Sequence, residues 1–172
     1  ILDIFSFPLQ MSSRVGVTSK IITYPFWLRA NAEQADLTQP FFSGYTTLQF
    51  YWPSSLDLDT QNAPSVRSVL KTSTQAKRMI ENFTTDPFLF SEQDTADMEK
   101  NEYTLAAIST DKGKLFVMTD ENFLSRCIEF TNSDTNMYLL VSVCQWLCNH
   151  ESILKLKNKV STVKPFKTFT DS

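Results

Sequence analysis

The residues that could perform chemistry are few and widely spaced. The single histidine, His150, follows Cys144 and Cys148, so three soft metal ligands stand close together in the chain. A structural zinc site takes four such ligands, and no fourth is indicated. A single histidine at a helix end also offers no Ser-His or Cys-His triad. The sequence therefore predicts neither a metal site nor a nucleophilic triad.

Asp120 is the residue whose position best suits a functional role. It follows the short apolar run from Leu115 to Met118, which predicts a buried strand. A carboxylate at the C-terminal end of such a strand lies on the edge where α/β sheets bind ligands. The alternative is an N-cap for a helix with Glu121 in its first turn. We favour the cap, and the sequence offers Asp120 no second catalytic carboxylate at a recognisable spacing.

Trp27 and Arg29 form a second candidate surface. They lie at the end of an apolar, aromatic segment from Thr18 to Leu28, and Pro25 within it predicts an extended or edge segment. An aromatic ring beside a guanidinium suits ligand stacking. The alternative, packing of the ring against the core, is the interpretation we favour.

Composition excludes several classes of function. The 172 residues carry a net charge of −3 and a pI near 5.2, which does not fit nucleic-acid binding. Only three glycines are present, and neither of the glycine-rich phosphate-binding motifs occurs. No cofactor is therefore predicted. No apolar run approaches the ~18 residues that a membrane span needs.

The elements that would position these residues follow from local patterns. Tyr103 to Thr110 is predicted to pair antiparallel with the strand Leu115 to Met118, because Asp111-Lys112-Gly113 between them is a hairpin turn signal. We expect the strand Leu115 to Met118 to be central and buried on both faces. A helix is predicted to start at Asp120.

A second helix is predicted to start near Ser133 and Asp134. Its predicted core face follows helical spacing through six residues, with Ser142, Gln145 and Asn149 on the solvated side. The six are Met137, Leu140, Val141, Cys144, Leu147 and Cys148. All three cysteines, including Cys127, are therefore expected to be buried free thiols.

The remaining elements are less sharply marked. Strands are predicted within Phe41 to Trp52 and over Ser65 to Thr72, and a helix over Thr72 to Asn82. We expect one domain over residues 1–172, with a body of about 20–156 and a loosely held tail at 157–172. The absence of an initial Met and of a signal peptide suggests a fragment whose targeting and anchoring segments lie outside it.

Several short pieces of the chain carry a family resemblance. The sharpest is a strand followed by Asp-x-Asn-Phe-Leu-Ser from Asp120 to Ser125, a polar gap, and a helix ending in Trp146-Leu147. Weaker pieces lie upstream, beginning with Tyr24-Pro25-Phe26-Trp27. Together they resemble the extracytoplasmic domain of auxiliary subunits of uncharacterised ABC-type transport systems, a group that includes a gliding-motility protein. The family usually has Gly-Asp-Ser-Asp where this chain has Thr119 to Asn122.

The residue patterns predict an α/β fold with a mixed sheet of about four to six strands and packed helices. The resemblance implies a flavodoxin-like or amidotransferase-like sandwich, or its C-terminal half, without that enzyme's nucleophile. It also implies a non-enzymatic extracytoplasmic interaction or ligand-binding domain on the periplasmic side, anchored to the membrane in the full-length protein. The implied partners are the permease and ATPase subunits and an unidentified small ligand. The alternative function is a degenerate hydrolase-like enzyme that uses Asp120.

Overall fold

A computed structural model describes residues 1–12, 19–81, 83–86, 95–150 and 152–154. The strands in this part of the chain are β1 (Ser6–Ser12), β2 (Ser19–Asn31), β3 (Thr47–Tyr51), β4 (Arg67–Lys71), β5 (Ala76–Lys77), β6 (Lys100–Asn101), β7 (Thr104–Ser109) and β8 (Leu115–Met118). The helices are α1 (Cys127–Thr131) and α2 (Asp134–Leu147), with 3-10 turns at Ala32–Gln34 and Pro40–Phe42. The predicted tail at 157–172 lies outside the described residues.

The strands form three small sheets, and every described strand pair is antiparallel. Their orders are β1-β2-β3, β4-β7-β8 and β5-β6. One apolar core joins the first two sheets to α2 and to the Pro40–Phe42 turn. The predicted α/β class, with helices packed on sheets in a sandwich, is confirmed.

The hairpin of β7 and β8 forms as predicted, but β8 is an edge strand. Ala106 pairs with Met118 and Ser109 with Leu115, in the antiparallel sense that the turn signal predicts. The central strand of that sheet is β7. Leu115 and Val117 are 55% and 38% exposed, so the prediction of a central strand buried on both faces was wrong. A short apolar run does not reveal whether both of its faces are covered.

The segment with Pro25 is central rather than an edge, which corrects the second strand prediction. β2 lies between β1 and β3. The pairing with β1 jumps from Tyr24 opposite Phe7 to Leu28 opposite Ser6, so Pro25 lies in an irregularity of that ladder. The pairing with β3 begins only at Trp27. Pro25 is tolerated because neither ladder needs an N–H at its position.

The predicted helix over Thr72 to Asn82 is absent from the described residues 72–81, which contain only the short strand β5. Thr72 and Ser73 are the cause. The Asp3 carboxylate accepts hydrogen bonds from the Ser73 backbone N–H at 2.9 Å and from its hydroxyl at 2.7 Å. The Thr72 hydroxyl accepts from the Tyr103 N–H at 2.9 Å. These contacts to distant residues hold the segment in a non-helical conformation.

α2 begins at Asp134 as predicted, but it buries a different face. The buried residues are Asn136, Leu139, Val143 and Trp146, at spacings of three and four. The predicted core face points to solvent: Met137 is 50% exposed and Val141 is 43% exposed. Apolar residues of α2 occupy much of its circumference. Helical periodicity alone is therefore compatible with burial of either face.

The cysteine prediction fails for the same reason, since Cys144 and Cys148 are exposed and Cys127 is only partly buried. We expect a thiol reagent to label Cys144 and Cys148 of the folded chain rapidly, and Cys127 more slowly, because access limits the reaction. Mass spectrometry of quenched samples measures the order, with denatured chain as the control for intrinsic reactivity. Protection of Cys144 and Cys148 would contradict the orientation of α2.

Candidate functional site

Four polar side chains form one patch on the face of β2 and β3 that points away from the main core. Side chains alternate between the two faces of a strand. The register places Arg29 opposite Gln49 and Asn31 opposite Thr47. The apolar residues between them enter the core. We call this group of Arg29, Asn31, Thr47 and Gln49 the polar patch.

The polar patch lines a cavity of about 410 Å³. The other lining residues come from the chain entering β1: Ile4, Phe5 and Ser6. Arg29 is the only charged residue among the described residues of the lining. The volume lies in the lower part of the range of small-molecule sites. The cavity therefore combines one cation, several neutral polar groups and a partly apolar rim.

Three buried polar atoms of this lining have no hydrogen-bond partner within the described part of the chain. They are Ser6 Oγ, Arg29 Nε and Gln49 Oε1. Gln49 is only 7% exposed. An unpaired buried donor or acceptor costs about 1–3 kcal/mol. All three atoms are buried beneath the surface of the cavity, so a group in the cavity would reach them only after a side-chain rearrangement.

The guanidinium of Arg29 packs on an aromatic ring rather than on a carboxylate. Its Cζ lies 4.7 Å from the centroid of the Phe7 ring. Neither of the two ion pairs found among the described residues includes Arg29. A cation–π contact orients the guanidinium and leaves its charge unneutralised.

Trp27 lies on the same face of β2 as Arg29 but is buried among aromatic rings. It is 8% exposed, and its ring centroid lies 5.2 Å from that of Tyr51 and 5.5 Å from that of Trp52. Both contacts are edge-on, which is a favourable geometry for aromatic pairs. The ring is thus held within a second apolar cluster, together with Tyr24, Phe26 and Tyr51.

Asp120 is buried directly after β8, and both of its carboxylate oxygens accept backbone hydrogen bonds. Oδ2 accepts from the Tyr51 N–H at 2.6 Å, and Oδ1 accepts from the Asn122 N–H at 2.7 Å. Residues 121–126 form turns, and no α-helix starts before α1 at Cys127, so the N-cap prediction was wrong. Asp120 instead closes its own turn and binds the free edge of β3.

Burial raises the pKa of Asp120 to about 6, although the hydrogen bonds from Tyr51 and Asn122 oppose the shift. The negative charge of Glu121 raises it further. A second cavity, of about 270 Å³, lies beside this carboxyl group. The described residues of its lining are apolar apart from Asp120 and Glu121: Phe116, Met118, Phe123, Leu124, Leu139, Leu140 and Val143.

β3 connects the two places that the sequence singled out. The Tyr51 backbone binds Asp120, and the Tyr51 ring contacts Trp27. Two residues earlier on the same strand, Gln49 faces the cavity of Arg29. The candidate residues are therefore neighbours of one strand, but Asp120 does not line the cavity of Arg29.

Sequence reasoning missed two residues of this region, Gln49 and Asn136. Asn136 is fully buried; its Oδ1 accepts from the Gln49 N–H at 3.0 Å, and its Nδ2 donates to the Gln49 carbonyl at 2.9 Å. Nδ2 also donates to the Phe123 carbonyl at 2.9 Å. An amide within an otherwise apolar helix stripe was the available signal. Gln49 is recognisable as a neighbour of Arg29 only once β3 is known to pair with β2, and sequence patterns do not reveal this pairing.

The described residues contain no group of three or more histidine, cysteine or carboxylate side chains placed to hold a metal ion. Cys144, Cys148 and His150 are all exposed at the end of α2. Within the same residues, no helix has the length and apolar character that crossing a membrane requires.

Comparison with known proteins identifies a family. A family model described as ABC-type uncharacterized transport system covers residues 1–137, from the start of the chain into the first turn of α2. No curated protein matches the chain, and no solved structure matches it. The matched segment contains Asp120 and every residue that lines the cavity of Arg29. The resemblance found in the sequence is confirmed.

Proposed function

The chain belongs to the family described as ABC-type uncharacterized transport system, and from this we propose that it is a non-enzymatic, ligand-binding auxiliary domain of such a system. It acts on the extracytoplasmic side and associates there with the permease, and through it with the ATPase. The family membership supplies the transport system. The ligand-binding role rests on the chain's own geometry.

The cavity of Arg29 is the single observation that carries this proposal. It brings Arg29, which takes part in neither ion pair of the described residues, together with the polar residues Asn31, Thr47 and Gln49. Such convergent polar groups in a concavity are typical of small-molecule sites. All of these groups lie on β2, β3 or the entry to β1. Groups on paired strands are held more rigidly than groups on loops, which suits binding of a defined ligand.

The geometry of Asp120 supports binding rather than catalysis. Both oxygens of its carboxylate already accept backbone N–H groups of the fold itself. A general acid or base needs to reach the substrate proton within hydrogen-bond distance. The residues around the neighbouring cavity are apolar except for Glu121, which is exposed. Among the described residues that line this cavity, no serine, threonine, cysteine, lysine or histidine is present.

We assign the association with the permease to the outward face of α2. Met137, Tyr138 and Val141 are 50%, 70% and 43% exposed on this face. Exposed apolar patches mark interaction sites. The segment 134–150 contains no Lys or Arg, whereas helices that lie on membrane surfaces are typically rich in both. This favours a protein partner over a lipid surface.

Co-purification tests this function. The full chain, expressed with the permease and ATPase subunits of an ABC-type transport system from the same organism, should be recovered with both from detergent-solubilised membranes. Val141→Lys places a charge on the outward face of α2 and should abolish recovery, without lowering the melting temperature. Thr110→Lys adds the same charge at an exposed position of the β7–β8 turn and should have no effect. Recovery of neither subunit with the wild-type chain would refute the association.

One observation favours a second function, a hydrolase-like enzyme that uses Asp120. A carboxyl group with a pKa of about 6, beside an apolar cavity, resembles a general acid tuned by burial. Hydrolytic turnover by the purified chain, with a pH profile that breaks near 6, would support this function and contradict the binding role.

A further inference from the structure

We propose that the free edge of β8 pairs with β8 of a second copy of this chain, in a symmetric antiparallel dimer. The pairing joins two three-stranded β4-β7-β8 sheets into one sheet of six strands. This association goes beyond the proposed function and is separate from the contact with the permease, which uses the outward face of α2. It follows from the composition of the sheet edges, the register of β8 and the charges at the two ends of this strand.

β8 is the edge of the two three-stranded sheets that the described residues leave unprotected. Natural sheets protect their edges with charged residues, prolines, irregular pairing or a covering segment, because a free edge pairs with other chains. β1 contains Pro8, β4 carries Arg67 and Lys71, and the ladder of each is irregular. The edge of β3 is bonded to Asn136 and Asp120. β8 reads Leu-Phe-Val-Met, and its ladder with β7 is regular.

The backbone groups of Phe116 and Met118 point away from β7. The Thr119 N–H donates to the Leu105 carbonyl at 3.1 Å, so Thr119 and every second residue before it face β7. The two residues between them face the free edge. No other described residue forms a hydrogen bond with the backbone groups on this edge. Such a row of unpaired donors and acceptors is what an added strand binds.

The outward-facing residues select the register of the dimer. In an antiparallel pair, each bonded residue exchanges both of its backbone hydrogen bonds with the residue opposite. The register that uses all of the outward-facing groups of β8 pairs Phe116 with Met118 of the second copy, and Met118 with its Phe116. The two-fold axis then passes between the two Val117 residues, and the same surface serves both copies. Val117 is 38% exposed, so its side chain is available for this contact.

The charges at the two ends of β8 match this register. Lys112 and Lys114 precede the strand, and Asp120 and Glu121 follow it. Antiparallel pairing about the axis places Lys114 opposite Asp120 of the second copy, so that each basic end meets an acidic end. Lys112 and Glu121 are exposed, and neither takes part in the two ion pairs of the described residues. An axis shifted by one residue toward the N-terminus would instead set Glu121 opposite Asp111.

Sedimentation velocity of the purified full chain tests the association. A strand of four residues gives a small interface, and small interfaces are typical of weak or transient complexes. We therefore expect the chain to change from monomer to dimer between about 1 and 100 µM. Val117→Lys should raise the dissociation constant about tenfold, because like charges then face each other across the axis. Leu37→Lys is the matched control: it adds the same charge at a 57% exposed residue near β4, and should have no effect.

Exchange of the end charges tests the pairing of basic with acidic ends. Glu121→Lys and Lys112→Glu should each weaken the dimer, because each variant sets like charges near one another at both ends of the strand pair. An equimolar mixture of the two variants should dimerise again, since every end then meets an opposite charge. A mixture no tighter than the separate variants would reject the charge pairing, and the register with it.

Disulfide trapping tests the position of the axis. In a chain with Ser at Cys127, Cys144 and Cys148, Val117→Cys should form an interchain disulfide with oxidised glutathione, because residues opposite each other have Cβ atoms about 4.5–5.5 Å apart. Leu115→Cys is the matched control on the same strand. The two Leu115 positions of the dimer are separated by about 14 Å along the strands, which a disulfide does not span. Non-reducing electrophoresis measures both products.

Several results would overturn the inference. A chain that remains monomeric at about 100 µM would refute the dimer. A dimer that Val117→Lys leaves unchanged would lie on another surface, and equal cross-linking of Val117→Cys and Leu115→Cys would exclude the register. Binding of a different protein that Val117→Lys abolishes, with the chain itself monomeric, would assign the edge to that protein instead. All of these measurements are independent of the co-purification with transporter subunits, so failure of the dimer is distinguishable from failure of the proposed function.

Discussion

Asn136→Ala should lower the free energy of unfolding by about 3–5 kcal/mol, which is a large effect for a single substitution. The substitution removes three hydrogen bonds at once: one from the Gln49 N–H, one to the Gln49 carbonyl and one to the Phe123 carbonyl. Asn136 is fully buried, so water does not replace the lost partners. Each backbone group left unpaired costs about 1–3 kcal/mol.

Urea denaturation at constant pH measures this loss as a lower midpoint with an unchanged slope. Tyr138→Ala is the matched control, since it truncates a 70% exposed residue on the same helix. Its effect should stay within about 0.5 kcal/mol. Similar losses for the two variants would show that Asn136 is not the link between α2 and β3.

Asp120→Asn should lower the free energy of unfolding by about 1–3 kcal/mol at pH 5. The carboxyl group accepts the Tyr51 and Asn122 N–H groups, one on each oxygen. The Asn side chain keeps one acceptor oxygen, but its NH2 group takes the place of the second oxygen. An N–H donor then points at one of the two backbone N–H groups. The protonated carboxyl retains an acceptor on both oxygens. The Asn variant is therefore not a neutral replacement, although it has the shape of the wild-type side chain.

The raised pKa of Asp120 determines whether the free energy of unfolding rises or falls with pH. The pKa of Asp120 is about 6 in the folded chain, above its ordinary value of 3.8. The folded state therefore binds the proton more tightly than the unfolded state does. The resulting stabilisation is fully present below about pH 4 and is lost as the pH rises through about 6. At one pKa unit per 1.4 kcal/mol, it amounts to about 2–3 kcal/mol.

Wild-type chain should therefore be less stable at pH 8 than at pH 5, and Asp120→Asn should lack this part of the dependence. The stability difference between the two proteins should accordingly be larger at pH 5 than at pH 8. Urea midpoints at both pH values measure it. Parallel pH profiles for the two proteins would show that Asp120 titrates normally. A loss of binding in Asp120→Asn without any loss of stability would restore a functional role for its charge.

The sequence by itself determined the elements whose cause is local. The turn signal at Asp111-Lys112-Gly113 predicted the β7–β8 hairpin, and Ser133-Asp134 predicted the start of α2. Both depend on residues within a few positions of each other. The family resemblance, carried by short contiguous pieces such as Asp120 to Ser125, was likewise available from the sequence and is confirmed by the family match. The site predictions at Asp120, Trp27 and Arg29 stay predictions.

Only the tertiary structure decided which faces are buried. α2 carries apolar residues on both sides, and its orientation depends on Asn136, which bonds to Gln49 at a separation of 87 residues. The carboxylate of Asp120 binds Tyr51, 69 residues away, instead of capping a helix. Arg29 and Gln49 become neighbours only through the pairing of β2 with β3. Hydrogen bonds between distant residues leave no periodic pattern in the sequence, because periodicity records only a residue's own helix or strand.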